Sequence, residues 1–318
     1  MIISVDTGNK QFKTRHFIFT SGLTQSNVPP ALTSEVMQYQ GMYYSLSDQR
    51  IKYTRKKFTD ENFFLLTLFA IGKEILKAYP NSNPNETRSI TLLLGLPLGH
   101  YGNQYQEFED FYRKRDIISF TYNGHPLKIR IDHVMTFVQG YSAIVTDPSL
   151  FQEEKLLLID VGGFTADYVK LINGRIRVEE SKTLEMGVIP LYNKIIYSVN
   201  ENYDFLLNEK DIDSVILNDF DLNLDSDFLS DIKAIINEEA MNHIDKIVRQ
   251  LREDGIDLRT YCTVFIGGGS LLLQKYIEQF KNKTKLIGKF RFVEDIHANC
   301  LGYEAQYRDF QKLKKKQK

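Results

Sequence analysis

Apolar and polar positions along the chain follow two periods, and together they predict a mixed α/β fold. A helix is predicted over residues 59–79 with Thr59 as its cap, and its buried face is marked by apolar residues spaced by three and four: Phe64, Leu68, Ile71, Ile75 and Tyr79. The same spacing marks a second helix over residues 229–251, which Gly255 ends. Strands are predicted where the chain is apolar throughout or alternates: residues 2–6, 12–19, 90–96, 117–131 and 155–171.

Turn residues divide several of these strands into hairpins. Asn123-Gly124 is a strong two-residue hairpin signal inside residues 117–131, and Asn173-Gly174 marks another turn. Residues 41–57 are predicted to form a further hairpin, with its turn at residues 47–49. The basic cluster at the end of that segment is interpreted as a solvated strand edge: Arg50, Lys52, Arg55, Lys56 and Lys57.

Composition narrows the class of protein. The 318 residues suit two lobes of ordinary domain size, and 42% hydrophobic with 25% charged residues is typical of a soluble chain. A net charge of −1 gives no global field that favours nucleic acid or an anionic membrane. Two cysteines, no export signal and no apolar run near the roughly 20 residues of a membrane helix predict a cytoplasmic protein with reduced thiols.

Residues 155–171 carry the most informative chemistry. An apolar strand ends at Asp160 and is followed by Gly162-Gly163, after which a second strand begins. Adjacent glycines allow backbone N–H groups to converge on a phosphate, and Asp160 could hold a hydrated Mg²⁺ beside it. Thr165 and Asp167 extend this polar rim. Taken alone, the pattern is more often an ordinary hairpin turn.

Two further glycine turns have related patterns. Residues 2–10 repeat the order of strand, Asp6 and a turn at Gly8, with Lys10 and Lys13 placed where an ammonium could meet a phosphate. Near the other end of the chain, a strand delivers Gly267-Gly268-Gly269 to a helix, with Ser270 as the predicted cap. Such glycines let a purine lie against the backbone or let an anion meet the helix N-terminus, although Gly-rich turns of this kind are common.

Two segments resemble metal sites but lack ligands that such sites require. The acidic stretch at residues 218–231 resembles the start of a calcium loop, but Leu224 and Ser230 replace the glycine and glutamate that such a loop requires. His297 and Cys300 have a ligand-like spacing but lack the rest of a zinc site.

The three glycine turns, in this order, resemble the two phosphate loops and the adenosine loop of the actin, sugar-kinase and heat-shock-chaperone ATPase superfamily. Within it, the chain is most similar to bacterial actin-like plasmid-segregation ATPases of the ParM/StbA type. That resemblance rests on four segments: residues 6–10 (Asp-Thr-Gly-Asn-Lys), 95–98 (Gly-Leu-Pro-Leu), 138–140 (Val-Gln-Gly) and 298–303 (Ala-Asn-Cys-Leu-Gly-Tyr).

The resemblance implies an actin-like two-lobe ATPase fold, in which each lobe is a mixed β-sheet flanked by helices and the nucleotide lies in the cleft between them. Lobe I would be residues 1–154 with 300–318 returning to it and a small subdomain at about 30–90. Lobe II would be residues 155–299, with a small subdomain at about 197–256.

The resemblance also implies a set of site residues. Asp6 and Asp160 would hold Mg²⁺ through water. The nucleotide would be bound by Thr7, Gly8, Asn9, Lys10, Lys13, Gly162, Gly163, Phe164, Thr165, Gly187, Gly267, Gly268, Gly269 and Ser270. ATP is the expected cofactor with Mg²⁺, and GTP stays open because the last glycine turn does not read the edge of a purine.

Gln139 separates the functional classes. Related sugar kinases use an aspartate base in this segment, whereas a glutamine amide has no useful basicity and can only orient a water for attack on the γ-phosphate. Hydrolysis is therefore expected, with Gln139, Asp6 and Asp160 as catalytic residues. One function is an ATP-dependent cytomotive filament that moves plasmid or phage DNA. The alternative is a non-polymerising nucleotide-binding scaffold of a pilus or division assembly.

The filament interpretation also implies partners. The chain would bind copies of itself in a helical filament and a DNA-binding adaptor of the ParR type. Direct specific binding to nucleic acid is not expected, because near-zero net charge accompanies the basic cluster and the basic tail at 312–318. A membrane partner is not expected either.

Overall fold

The structure is a computed structural model that describes residues 1–30, 35–81, 83, 85–217 and 228–316. Contacts between residues divide the chain into two compact units. The first unit is Met1–Pro148 together with Asp295–Lys318, and the second is Ser149–Glu294. The lobe and subdomain boundaries given above stay predictions, and most of the acidic stretch at 218–231 lies outside the described residues.

The described residues form fifteen strands. They are β1 (Ile2–Thr7), β2 (Gln11–Thr14), β3 (Ile18–Thr20), β4 (Leu23–Ser26), β5 (Val36–Tyr39), β6 (Met42–Leu46), β7 (Thr87–Leu96), β8 (Ile117–Tyr122), β9 (His125–Val138), β10 (Lys155–Val161), β11 (Ala166–Ile172), β12 (Arg175–Ile176), β13 (Lys182–Leu184), β14 (Cys262–Ile266) and β15 (Phe290–Phe292).

The helices of the described residues follow the same chain order. They are α1 (Glu61–Ala78), α2 (Leu98–Arg113), α3 (Tyr141–Ile144), α4 (Val188–Tyr203), α5 (Glu209–Leu217), α6 (Leu229–Glu253), α7 (Gly267–Leu272), α8 (Gln274–Thr284) and α9 (Ala298–Lys316). None of them is both long enough and apolar enough to cross a bilayer.

The first unit is built on a nine-stranded mixed sheet in the order β3-β2-β1-β7-β9-β8-β5-β6-β4. Its centre is parallel, because β7 pairs with β1 on one side and β9 on the other in that sense. Strand β7 is buried over most of its length, as its apolar run predicts. Helix α1 packs its buried side chains into the same core, and the carboxyl ends of the three parallel strands share one edge of the sheet.

The second unit is built on a six-stranded mixed sheet. Strands β12, β11, β10, β14 and β15 lie in that order, and β13 pairs with β11. Strand β10 pairs antiparallel with β11 and parallel with β14. Helices α4, α6 and α8 contribute buried residues to its core. Both units therefore have the predicted α/β class, a mixed sheet flanked by helices.

The helix predicted at 59–79 forms, but its ends differ from the prediction. Thr59 is not the cap: its hydroxyl donates to Lys56 O within a 3₁₀ turn. Asp60 caps α1 instead, with extended backbone and a side chain that accepts from Asn62 N at 3.0 Å. Tyr79, predicted on the buried face, follows the helix and is 45% exposed.

The hairpin predicted over residues 41–57 is wrong. Strand β6 pairs with β5 and β4, and the backbone after its turn at 47–49 forms no strand. The true partner precedes β6, because Gln40 and Gly41 both have positive φ (49° and 80°) and make the two-residue turn that matches strand twist. The hairpin predicted at Asn123-Gly124 forms between β8 and β9.

Candidate functional site

The turn after β1 is closed by one serine. Ser21 Oγ donates to Gly8 O at 2.6 Å, and Ser21 N donates to Lys10 O at 3.0 Å. Because a trans peptide points its N–H opposite to its carbonyl, the Asn9 N–H is directed away from Ser21. A Cβ on Gly8 would lie 2.4 Å from Gln11 O, so this tight turn requires glycine. The turn thus has a backbone N–H, that of Asn9, which points away from the serine that closes it.

Asp6 is the penultimate residue of β1 and is buried, and both of its carboxylate oxygens accept amide hydrogens. Gln139 Nε2 donates to Asp6 Oδ1 at 2.6 Å, and Asn299 Nδ2 donates to Asp6 Oδ2 at 3.2 Å. Lys13 stands opposite Asp6 in the β1–β2 pairing and is also buried. The structure therefore brings Asp6, Gln139 and Lys13 into one neighbourhood.

Gln139 is placed by a tight turn at the carboxyl end of β9. Its N–H donates to Leu96 O at 2.9 Å, and Gly140 follows with φ of 74°. A Cβ on Gly95 would lie 2.9 Å from Gln139 Cγ and 1.8 Å from Tyr303 Oη. The glycine at position 95 therefore makes room for the glutamine and for the tyrosine of α9.

Lys57 corrects the interpretation of the basic cluster as a solvated edge. Its side chain is buried, and Nζ donates to Thr7 O at 2.5 Å, directly after Asp6. Burial lowers the pKa of His100 at the start of α2, and the positive charges of Lys57 and Arg55 lower it further. One lysine of the cluster thus belongs to the predicted phosphate turn.

The turn between β10 and β11 is held from one side by α4. Gly162 N closes it by donating to Thr165 O at 2.8 Å. Its three carbonyls accept from the N-cap and the first two residues of α4: Gly187 N to Phe164 O (2.9 Å), Val188 N to Gly162 O (3.1 Å) and Ile189 N to Gly163 O (2.7 Å). Because those peptides are planar and trans, the N–H groups of residues 163–165 point away from α4. Consecutive N–H groups on one side form an anion-binding nest.

Position 187 requires glycine because it packs directly against the turn between β10 and β11. A Cβ there would lie 2.5 Å from Gly163 O and from Phe164 C. Its N–H is used by Phe164 O, so Gly187 supports the phosphate turn. Its predicted contact with the nucleoside stays a prediction.

Two carboxylates flank this turn on opposite strands. Asp160 and Asp167 are directly paired across β10 and β11, so their side chains share a face of the sheet. Asp167 is fixed by two hydroxyls, Thr165 Oγ1 at 2.9 Å and Thr183 Oγ1 at 2.5 Å. The Thr165 hydroxyl therefore donates to Asp167. Thr165 contributes its backbone N–H, and not its hydroxyl, to the nest.

The third glycine turn differs from its prediction. Helix α7 begins at Gly267 with Ile266 as its cap, so Ser270 is not a cap and lies within the helix. A Cβ on Gly267 would lie 2.2 Å from Asp160 Oδ1, and one on Gly269 would lie 2.6 Å from Val161 O. These glycines let α7 approach the end of β10 and its aspartate.

Polar atoms in these turns have hydrogen-bonding capacity left. Among the residues described, Asn9 Oδ1 and Ser270 Oγ are buried without a hydrogen-bond partner. A carboxylate also has about four acceptor positions, so the two amides on Asp6 leave room for water. No three His, Cys, Asp or Glu side chains of the described ranges gather as a metal cage. Asp6 in the first unit and Asp160 in the second each offer a single carboxylate, a ligand of the kind that Mg²⁺ takes through water.

The predicted site residues fall into two groups, one in each unit. The first unit holds Asp6, Thr7, Gly8, Asn9, Lys10, Lys13 and Gln139. The second unit holds Asp160, Gly162, Gly163, Phe164, Thr165, Gly187, Gly267, Gly268, Gly269 and Ser270. Sequence reasoning left out Lys57 and Asn299 as site residues, because the contacts of Lys57 with residue 7 and of Asn299 with residue 6 are distant in sequence.

Comparison with known families places these turns in context. Residues 5–141 match the family described as "Actin like proteins N terminal domain". Residues 158–279 match the family described as "Archaeal actin homologue MreB-like, C-terminal". The chain is an actin-like protein. The resemblance predicted from the glycine turns is confirmed, and no curated protein matches this actin-like chain.

Solved structures of actin homologues share its fold over nearly all of their length. The archaeal actin homologue Ta0583 in complex with ADP is 17% identical, with a TM-score of 0.70, and the alignment covers 97% of this chain and 99% of Ta0583. ParM from a 15-stranded filament of Clostridium botulinum is 19% identical, with a TM-score of 0.73 and coverage of 95% and 97%. AlfA from the B. subtilis plasmid pLS32, also a filament, is 16% identical, with a TM-score of 0.62 and coverage of 96% and 98%.

Proposed function

We propose that this actin-like chain binds ATP with Mg²⁺, hydrolyses it and polymerises in its ATP-bound form for the segregation of plasmid or phage DNA. The observation that carries the proposal is the nest at residues 163–165, whose N–H groups are turned outward by the α4 contacts. Backbone N–H groups held in this way bind anions, and the phosphate groups of a nucleotide are among them. The ADP complex of the similar archaeal homologue supports the same ligand class.

In the proposed reaction the phosphates are bound by residues 8–10 and by the nest, with Lys10 and Lys13 as nearby cations. Asp6 and Asp160 would hold Mg²⁺ through water, and the ion would neutralise charge that develops on the phosphate oxygens. Gln139 donates its amide hydrogen to Asp6. Its amide oxygen is then the acceptor that orients a water for attack on the γ-phosphorus.

Nucleotide binding is tested by calorimetry with ATP and GTP in the presence of Mg²⁺. We expect ATP to bind and Asp160→Ala to weaken binding and turnover together. Gln139→Ala should slow turnover at least about tenfold and change affinity less, because it removes the acceptor for the attacking water together with one of the two amide bonds to Asp6. Asp257→Ala is the control, since that carboxylate pairs with Arg259 in an exposed 3₁₀ turn. A wild type that binds neither nucleotide contradicts the proposal.

Self-assembly is the second part of the proposal. Filaments of ParM and AlfA among the similar structures support it. Head-to-tail addition through two different surfaces generates an open helical filament. Light scattering and negative-stain microscopy should show assembly only with ATP and Mg²⁺, above a critical concentration. Filaments of Gln139→Ala should last longer, because the γ-phosphate is retained.

Cargo attachment in this proposal uses a DNA-binding adaptor of the ParR type. The tail and the basic cluster should not bind DNA specifically, and Lys57 of that cluster is buried under Thr7. A gel shift with a unique DNA fragment at physiological salt, positive without a second protein, would contradict the need for an adaptor. A chain that binds ATP but remains monomeric across salt and crowding conditions would indicate the nucleotide-binding scaffold instead.

A further inference from the structure

Asn299 uses both ends of its side-chain amide within the first unit. Oδ1 accepts from Gly140 N at 3.0 Å, and Nδ2 donates to Asp6 Oδ2 at 3.2 Å. The residue is 8% exposed, so water competes little for either bond. Asn299 therefore joins the backbone next to Gln139 to the carboxylate at the end of β1.

These bonds close a ring, which we call the amide–carboxylate ring. It runs from Gly140 N to Asn299, from Asn299 to Asp6, from Asp6 Oδ1 to Gln139 Nε2, and back through the Gln139–Gly140 peptide. The three side chains come from β1, the end of β9 and the first turn of α9. The ring thus fixes three separate elements at one point.

The chemistry of the ring allows only one direction of donation. A backbone N–H can only donate, so Asn299 must present its oxygen to Gly140 and its nitrogen to Asp6. An ionised carboxylate can only accept, so Gln139 must present its nitrogen to Asp6. The Gln139 oxygen is then turned away from Asp6. An amide that could flip freely would present oxygen and nitrogen to a water equally.

Other contacts hold the first turns of α9 independently of Asn299. His297 Nδ1 lies 2.8 Å from Thr14 O, and Cys300 Sγ donates to Lys13 O at 3.3 Å. On the α3 side, a Cβ at Gly302 would lie 1.8 Å from Ser142 O, and Gln306 Nε2 donates to Ser142 Oγ at 2.7 Å. A change at position 299 should therefore leave the helix in place.

We infer that Asn299 is a positioning residue for hydrolysis: it sets the orientation of the Gln139 amide through Asp6, so that the glutamine oxygen faces the attacking water. This inference rests on the proposed ATP hydrolysis. It assigns Asn299 no contact with the nucleotide.

Two variants separate the bonds of Asn299. Asn299→Asp keeps an acceptor for Gly140 but replaces the donor to Asp6 with a second carboxylate oxygen, whereas Asn299→Ala removes both bonds. Turnover should fall about 10- to 100-fold in both, as for other residues that orient a catalytic group. ATP affinity measured by calorimetry should stay within about threefold in Asn299→Ala, because the lost bonds do not contact the nucleotide, and in Asn299→Asp, which adds a carboxylate beside Asp6, it should still fall less than turnover.

Gln306→Ala is the matched control, because it removes a contact between the same helix and α3 and leaves the ring complete. Its turnover and melting temperature should stay close to those of the wild type. Turnover of Asn299→Asp within twofold of wild type, with the fold intact by circular dichroism, overturns the inference. A loss of ATP affinity as large as the loss of turnover also overturns it.

Hydrogen exchange of the Gly140 amide gives a readout that does not depend on hydrolysis. The amide should be protected in the wild type and in Asn299→Asp, and it should exchange faster in Asn299→Ala. Equal exchange rates in wild type and Asn299→Ala overturn the ring. A wild type that hydrolyses no ATP contradicts the proposed function and the positioning role, and exchange alone then decides whether Asn299 holds Gly140.

Discussion

Lys57 is buried beside the first phosphate turn, and its contribution can be separated from that of its neighbour. Lys57→Met keeps the apolar stem but removes the donor to Thr7 O, which costs about 1–3 kcal/mol for a buried acceptor left unpaired. We expect lower unfolding free energy and weaker ATP binding. Lys56→Met, at an exposed position, is the control. Urea unfolding and calorimetry of both variants measure the difference, and identical results for the two would contradict a role for Lys57.

Gly95 in β7 lies so close to Gln139, which follows β9, that a side chain at position 95 would clash with it. Gly95→Ala places a methyl group 1.8 Å from Tyr303 Oη and 2.9 Å from Gln139 Cγ, so the tyrosine and the glutamine must both move. Turnover should fall by about tenfold or more, since displacement of a positioning group by about 1 Å is costly. Gly102→Ala is the control, because a Cβ there meets nothing within 4 Å. Steady-state ATP hydrolysis of the two variants provides the test, and equal rates would show that Gln139 tolerates the shift.

At the level of elements, the N-cap of α1 is Asp60 in the structure, whereas the sequence predicted Thr59. Asp60→Ala should destabilise the chain by about 1 kcal/mol, because Asn62 N loses its acceptor. Thr59→Ala should cost much less, since its exposed hydroxyl bonds only within the preceding 3₁₀ turn. Urea unfolding of the two variants ranks them. A larger loss of unfolding free energy in Thr59→Ala than in Asp60→Ala would indicate that Thr59 is the cap.

Helix α6 is tied to the residue before Gly187 by a buried histidine. His243 Nε2 lies 3.0 Å from Met186 O, and burial lowers the pKa of His243 to about 4. The unfolded chain, with a histidine pKa of about 6.5, binds the proton first. Stability should therefore be constant above pH 6.5 and fall between about pH 6.5 and 4, by an order of 3 kcal/mol. Urea unfolding against pH should show this slope, and His243→Gln should lack it.

Several elements were predictable because local rules agree with the fold. Asn123-Gly124 closes a hairpin, and Phe64, Leu68, Ile71 and Ile75 are all fully buried on one face of α1. The errors arose where a distant or competing contact decides. Asp60, with extended backbone, caps α1 in place of Thr59. Lys57 is buried because it donates to Thr7 O, which lies fifty residues away in the sequence.

At the scale of the whole molecule, the order of the three glycine turns was enough to predict the actin-like class. The fold of each unit could then be expected from that class. The placement of site residues was harder to predict. The Asp6 and Gln139 pair joins positions 133 residues apart, and Asn299 lies 293 residues from Asp6. Periodicity reports which face of an element is buried, and it carries no information about which remote polar groups will meet.

The order of strands in the first unit leaves little room for another strand to join. Its edge strands β3 and β4 are consecutive in the chain, separated by Ser21 and Gly22, so their near ends lie within about 11 Å. Residues 47–51 bond to both linking residues through Ser47 N and Ile51 N. The edge strands described in the second unit have only two residues (β12) or three residues (β13 and β15). Such edges are poor templates for amyloid-like stacking, so assembly of this chain should leave thioflavin T dark and depend on side-chain surfaces.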